Sequence, residues 1–111
     1  MADIYRVQVT DYAKKQLLEI IDYIGFELQA PIAAKNISKR LRASIKSLAF
    51  MPGRLALIYA EPWRSRGIRK MIDGNYLIYF WIDEGNKRVI VTAIVGSKMN
   101  QASQLSFMDM R

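Results

Sequence analysis

Apolar and polar residues alternate near the start of the chain. Over residues 4–9, Tyr5, Val7 and Val9 fall on one side of an extended segment and Arg6 and Gln8 on the other, the pattern of a strand with one buried face. The period then changes. From Tyr12 to about Leu28, the apolar residues Ala13, Leu17, Ile20, Ile21, Ile24 and Leu28 recur at helical spacing while Lys14, Lys15, Glu19 and Asp22 fall elsewhere. This predicts an amphipathic helix of about four turns, with Thr10 or Asp11 as its N-cap. Pro31 suits the first turn of a second helix, where its missing N–H is no loss. Ala34, Ile37, Leu41, Ile45 and Leu48 supply its buried stripe, and Met51-Pro52-Gly53 ends it. Only a few residues near Gln29 and Ala30 separate the helices, so they form an antiparallel hairpin.

After an irregular basic connection around Pro62, Trp63 and Arg64-Ser65-Arg66-Gly67, three strand-like runs cover residues 67–73, 75–83 and 87–96. Asp73-Gly74-Asn75 and Asp83-Glu84-Gly85-Asn86 are the hairpin turns between them. The predicted class is α+β in the order β-α-α-β-β-β: a small, antiparallel-rich sheet packed against an N-terminal helical hairpin, one domain over residues 1–111. A short helix from about Asn100 completes it. The run Tyr76 to Ile82 is apolar on both faces, which places it at the centre of the sheet, and the first strand joins at an edge or beside a neighbour. The hairpin covers one face of this sheet. The other face is expected to stay partly open as a shallow basic concavity, the natural place for a site.

Composition narrows the chemistry. The 111 residues contain no Cys and no His, which excludes disulfides, thiolate metal sites, a cysteine nucleophile and the commonest base near neutral pH. Neither a cofactor nor a metal is expected. The first residues carry no basic segment followed by an apolar one, and no apolar run reaches the roughly 18 residues of a membrane span, so a cytoplasmic protein is expected. The net charge of +7 is uneven: residues 1–30 hold three Lys/Arg against five acids, and the remaining 81 hold 14 against five. A balance of +9 over that stretch suits a polyanionic partner, either nucleic acid or an acidic protein segment, although a merely solvated basic surface has the same composition.

The carboxy-terminal half carries a Gly67-Ile68-Arg69 strand start, then Tyr76-Leu77-Ile78-Tyr79 leading to Ile82-Asp83, then the β-branched run from Val89 to Gly96 followed by Lys98. With Thr10 to Ala13 opening the first helix and Leu48 to Met51-Pro52 closing the second, this order and spacing resembles the RelE/ParE superfamily of toxins from bacterial type II toxin–antitoxin, or plasmid stabilisation, modules. The likeness implies a growth inhibitor with an acidic antitoxin as partner. It leaves two targets: mRNA on the ribosome, cut by a metal-independent endoribonuclease (an mRNA interferase), or DNA gyrase, bound and poisoned. A catalytically inactive module that only pairs with an antitoxin-like partner is the third reading. The tail Val95-Gly96-Ser97-Lys98-Met99-Asn100 departs from the family, where an aromatic or His, paired basic residues and an acid are usual.

By that resemblance, Arg69 and Lys98 are candidates to hold a scissile phosphate and Glu61 to act as a base. An edge ion pair for Arg69 and a solvated loop position for Glu61 are the plainer alternatives. Arg64, Arg66 and Lys70 are candidates for contacting nucleic acid or a partner. Lys35, Lys39, Arg42 and Lys46 stand in one column of the second helix at i, i+4, i+7 and i+11, either a docking stripe or a solvated face. Tyr76, Tyr79, Phe80 and Trp81 read as core, while Met99, Met108 and Met110 suggest an adaptable apolar surface or a frayed tail.

Overall fold

The computed structural model describes residues 4–111; the first three positions, on which the expectation of no leader partly rests, lie outside them. Strand β1 is Arg6–Val9, followed by helices α1 (Asp11–Asp22) and α2 (Pro31–Ser47). Strands β2 (Arg69–Asp73), β3 (Tyr76–Asp83) and β4 (Arg88–Gly96) come next, and helix α3 (Gln101–Ser106) closes the order. This is the expected α+β arrangement. The sheet runs β1-β4-β3-β2, so β1 sits at an edge, and it pairs with β4 in parallel. Strands β3 and β4 share the centre, where the sequence pattern had placed β3 alone. The other two pairings are antiparallel, as hairpins require.

Thr10 caps α1: its Oγ1 accepts the Ala13 N–H at 3.1 Å, a contact worth about 1 kcal/mol. The hairpin lays Ala13, Leu17, Leu41, Ile45 and Leu48 onto Ile78, Phe80, Val89, Val91 and Ile94, forming the main core. The first helix departs from expectation at its end. It stops at Asp22 and widens into a π-helical turn, Tyr23–Glu27, so the chain emerges rotated against its stripe. Leu28, expected on that stripe, is exposed. The second helix ends as predicted, with Leu48 as C-cap, Met51 in the left-handed region (φ 47°) and a short 3-10 turn over Pro52–Arg54.

The clamp that fixes α2 against the β2–β3 turn lies at its middle. Arg40 Nε meets Asp73 Oδ1 at 3.1 Å and Ser44 Oγ donates to Asp73 Oδ2 at 2.6 Å. Gly74 adjoins it with φ +58°, and a Cβ there would lie 2.9 Å from Arg40 Nη2. Gly74→Ala therefore meets two penalties, a left-handed backbone and displacement of the guanidinium. We expect a loss of more than about 1 kcal/mol, read as a lower denaturant midpoint at constant slope.

The largest departure concerns the second face of the sheet. It is not an open concavity. Ile58, Ile68 and Trp63 from the β2-side connection, with Leu105, Met108 and Met110 from the C-terminal segment, pack on Leu77, Tyr79, Trp81, Ala93 and Val95 as a second core. Tyr79 is 2% exposed, and burial raises the pKa of its phenol. The tail is stitched down by Trp81 Nε1 donating to the Met110 carbonyl at 2.9 Å and by Tyr12 Oη donating to the Gln104 carbonyl at 2.6 Å. Met108 and Met110 are thus packing residues, and of the three tail methionines only Met99 is exposed.

Candidate functional site

The far end of the helical hairpin is an exposed apolar overhang. Around the π turn and the start of α2, Tyr23 is 56%, Phe26 79%, Leu28 55% and Ile32 77% exposed. Between this overhang and the ends of β3 and β4 runs a groove of about 760 Å³, with Tyr23, Ile24, Leu28, Tyr76, Ile94 and Met99 in its walls. Glu19 and Lys98 bring opposite charges to the same groove. Its mostly apolar walls suit the apolar side of a helix or extended segment more than a small polar ligand.

The three residues proposed for chemistry are not brought together. Arg69 pairs with Phe80 on β3 and so points to the same side of the sheet as Phe80, the side of the helical hairpin rather than the face expected to be concave. Its Nη1 donates to the Leu55 carbonyl, tying the connection to the sheet edge. Lys98 lies at the groove, two positions past Gly96, which pairs with Tyr76. The Arg69–Phe80 row lies four positions from the Tyr76–Gly96 row, roughly 13 Å along β3, with further separation across the strands. Glu61 serves the loop itself, accepting the Ser65 N–H at 2.7 Å and the Ser65 hydroxyl. The Ser65 hydroxyl, backbone N–H and nearby Arg64 hold its carboxyl below the usual carboxylate range, opposite to the rise a general base needs.

The proposed binding residues divide into two sets. Lys35, Lys39, Arg42 and Lys46 are all exposed along α2, and Arg42 Nε donates to Ser38 Oγ at 3.1 Å. Arg64 and Arg66 stand in the connection before β2, where Arg64 lies over the Tyr59 ring and Arg66 over the Trp63 ring, each 5.3 Å from the centroid. Lys70 is half-buried on the second face, paired with Tyr79.

What remains of the expected concavity is a smaller pocket of about 480 Å³ on the second face, beside β1, bounded by Gln8, Trp81, Ile90 and Arg111. Its central cation is already satisfied. Arg88 donates to Asp83 Oδ2 through Nη2 at 2.7 Å and through Nε at 3.2 Å, and to Gln8 Oε1 through Nη1 at 3.2 Å. Those bonds, Arg88 first and Asn86 next, lower the Asp83 carboxyl from its ordinary pKa. Among the described residues, no cluster of acidic side chains could hold a metal ion, and no helix is long and apolar enough to cross a membrane.

Two residue sets here escaped sequence reasoning. The exposed apolar end at Phe26 and Ile32 falls outside both periodic stripes and could have been noticed as unpartnered. Gln16 reads as an ordinary polar helix position, yet it is 6% exposed. Its Oε1 accepts the Ile94 N–H at 2.8 Å and its Nε2 donates to Gln104 Oε1 at 3.1 Å. Since β1 stops opposite Val91, β4 has no strand neighbour farther along on that side, and Gln16 supplies the missing acceptor.

The mixed four-stranded sheet under a helical hairpin is a fold shared with solved toxin–antitoxin structures. The solved chromosomal ParDE system from P. aeruginosa matches with a TM-score of 0.70 at 18% identity, covering 86% of this chain and 98% of that one. The RelBE2 toxin–antitoxin complex from Mycobacterium tuberculosis matches with a TM-score of 0.60 at 17% identity, covering 85% of this chain and 92% of that one. No curated protein matches by sequence. The family model for the ParE toxin of the type II toxin–antitoxin system, parDE, matches residues 7–101, and the chain belongs to that family.

Proposed function

We propose that this protein inhibits growth by docking on DNA gyrase in the cytoplasm, without cutting RNA, and that an acidic antitoxin silences it by occupying the groove beside the hairpin. The observation carrying the target is the dispersal of Arg69, Lys98 and Glu61: two are engaged in holding the connection before β2, and the third lies across the sheet at the groove. A phosphoryl-transfer site needs acid, base and cation within reach of one phosphate. A poison that works by binding needs only surface. An apolar groove on a chain that also exposes a cationic column on α2 favours a partner that combines apolar anchors with acidic residues.

Induced expression, with growth, RNA integrity and plasmid supercoiling followed together, tests the reading. The expected result is growth arrest with altered supercoiling or gyrase-linked DNA breaks while mRNA stays intact. Early cleavage of translated mRNA would replace gyrase with the ribosome as target. Unimpaired growth would leave only the antitoxin-pairing module.

A further inference from the structure

We infer that the connection over residues 54–70 is a contact site for single-stranded nucleic acid, separate from the groove. It holds five cations, Arg54, Arg64, Arg66, Arg69 and Lys70, against the single acid Glu61; Arg69 and Lys70 point to opposite faces of the sheet, so Arg64 and Arg66 in the loop carry the contact. That acid is occupied by Ser65. Among the described residues, none of the five cations has a carboxylate within salt-bridge distance. What distinguishes the segment from the α2 column is order. Arg64 is held by Nη1 donating to the Ile58 carbonyl at 3.2 Å and by the Tyr59 ring beneath it. Arg66 rests on Trp63. Arg54 and Arg69 are anchored by single nitrogens on the carbonyls of Phe50, Met51 and Leu55.

A guanidinium carries five N–H donors, so an anchor through one nitrogen leaves other donors for an incoming anion. The anchors also remove most of the rotamer entropy that a free lysine would lose on binding. Beside these cations Tyr59 is 90% exposed. Arg64 covers one side of its ring, and the aromatic surface otherwise faces solvent. An acidic protein segment would need exposed apolar sockets as anchors, but Ile58 and Ile68 are both turned into the second core. Ordered phosphate donors next to the exposed Tyr59 ring match an unpaired strand, whose bases are free to stack; in a duplex the base faces are already occupied. The inference holds whether the toxin's target is gyrase or another, because it concerns a surface the groove does not share.

The purified full chain and a labelled oligo(dT) of about 12 nucleotides, within the usual footprint of such sites, provide the test by fluorescence anisotropy. Wild type is expected to bind, with affinity falling between about 50 and 200 mM salt and with Trp63 emission quenched, a quench absent in Trp63→Phe. Arg64→Gln with Arg66→Gln should weaken binding about tenfold more than the charge-matched pair Lys35→Gln with Lys39→Gln. Tyr59→Ala, at a position too exposed to disturb folding, should weaken it about fivefold or more. Tyr23→Ala in the groove should leave it unchanged. Equal losses from the loop and column pairs, an unquenched Trp63, equal affinity for a blunt duplex of the same length, or no binding would each overturn the assignment. None of these outcomes bears on plasmid supercoiling in cells, so failure here and failure of the gyrase reading are read separately.

Discussion

Leu41→Ala is expected to destabilise the protein by about 2–5 kcal/mol, the range for truncating a fully enclosed leucine. Leu41 is 0% exposed and sits midway along the buried stripe of α2, in the core shared with Leu17, Ile45, Ile78 and Phe80. The cavity would open between a helix and two central strands, and the Arg40–Asp73–Ser44 clamp beside it resists the collapse that could refill it. Ile32→Ala is the internal control. With 77% of its surface exposed, Ile32 should change stability by no more than about 0.5 kcal/mol. Denaturant unfolding with an unchanged slope measures both. Similar losses at the two positions would show that the stripe of α2 does not face the sheet.

Most of the fold was legible in the sequence because each element carries a local signal that tertiary structure did not override. Ala34, Leu41, Ile45 and Leu48 repeat at helical spacing and are buried. Asp73-Gly74-Asn75 sets the β2–β3 turn, with Gly74 in the left-handed region such turns require. Helix α1 was legible up to Asp22 and not beyond, because a π turn depends on which backbone carbonyl is reached, here Leu28 N–H to Tyr23 O at 3.0 Å, and leaves the residue pattern unchanged. The parallel pairing of β1 with β4 was also silent. Val7 and Val9 announce one buried face whichever way the neighbouring strand runs.

The candidate site was less legible, and the reason is geometric. The resemblance placed Arg69 by its position after Gly67, but which side a strand residue points to depends on register, and pairing with Phe80 sends Arg69 to the hairpin side. The expected concavity was inferred by asking what remained to cover the second face. That reasoning left the tail's apolar residues without a partner. Leu105, Met108 and Met110 do not form a regular stripe in residues 101–111, yet they suffice to cap Tyr79 and Trp81. The connection before β2 was read as irregular, and its aromatic–arginine stacking arises from turns that the sequence pattern does not display.

Tyr23→Ala combined with Leu28→Ala is expected to shorten the lifetime of the complex with the proposed acidic antitoxin by about 100-fold or more. Both residues wall the groove and are more than half exposed in the free chain, so truncating them removes little from the protein's own core. In a complex they would be the side chains that lose most contact with water, and burying such anchors governs dissociation. The cationic column acts at a different step. Lys39→Glu with Arg42→Glu inverts charge on a solvated helix face and should slow association within about one to three decades and flatten its salt dependence, with the dissociation rate nearly constant. Stopped-flow mixing of the toxin with its antitoxin, and then displacement of the preformed complex, separates the two rates. Should the groove pair change only association, or leave both rates as they were, the antitoxin's anchors lie elsewhere. An unchanged association rate at low salt for the column pair would return Lys35, Lys39, Arg42 and Lys46 to a solvated face with no part in recognition.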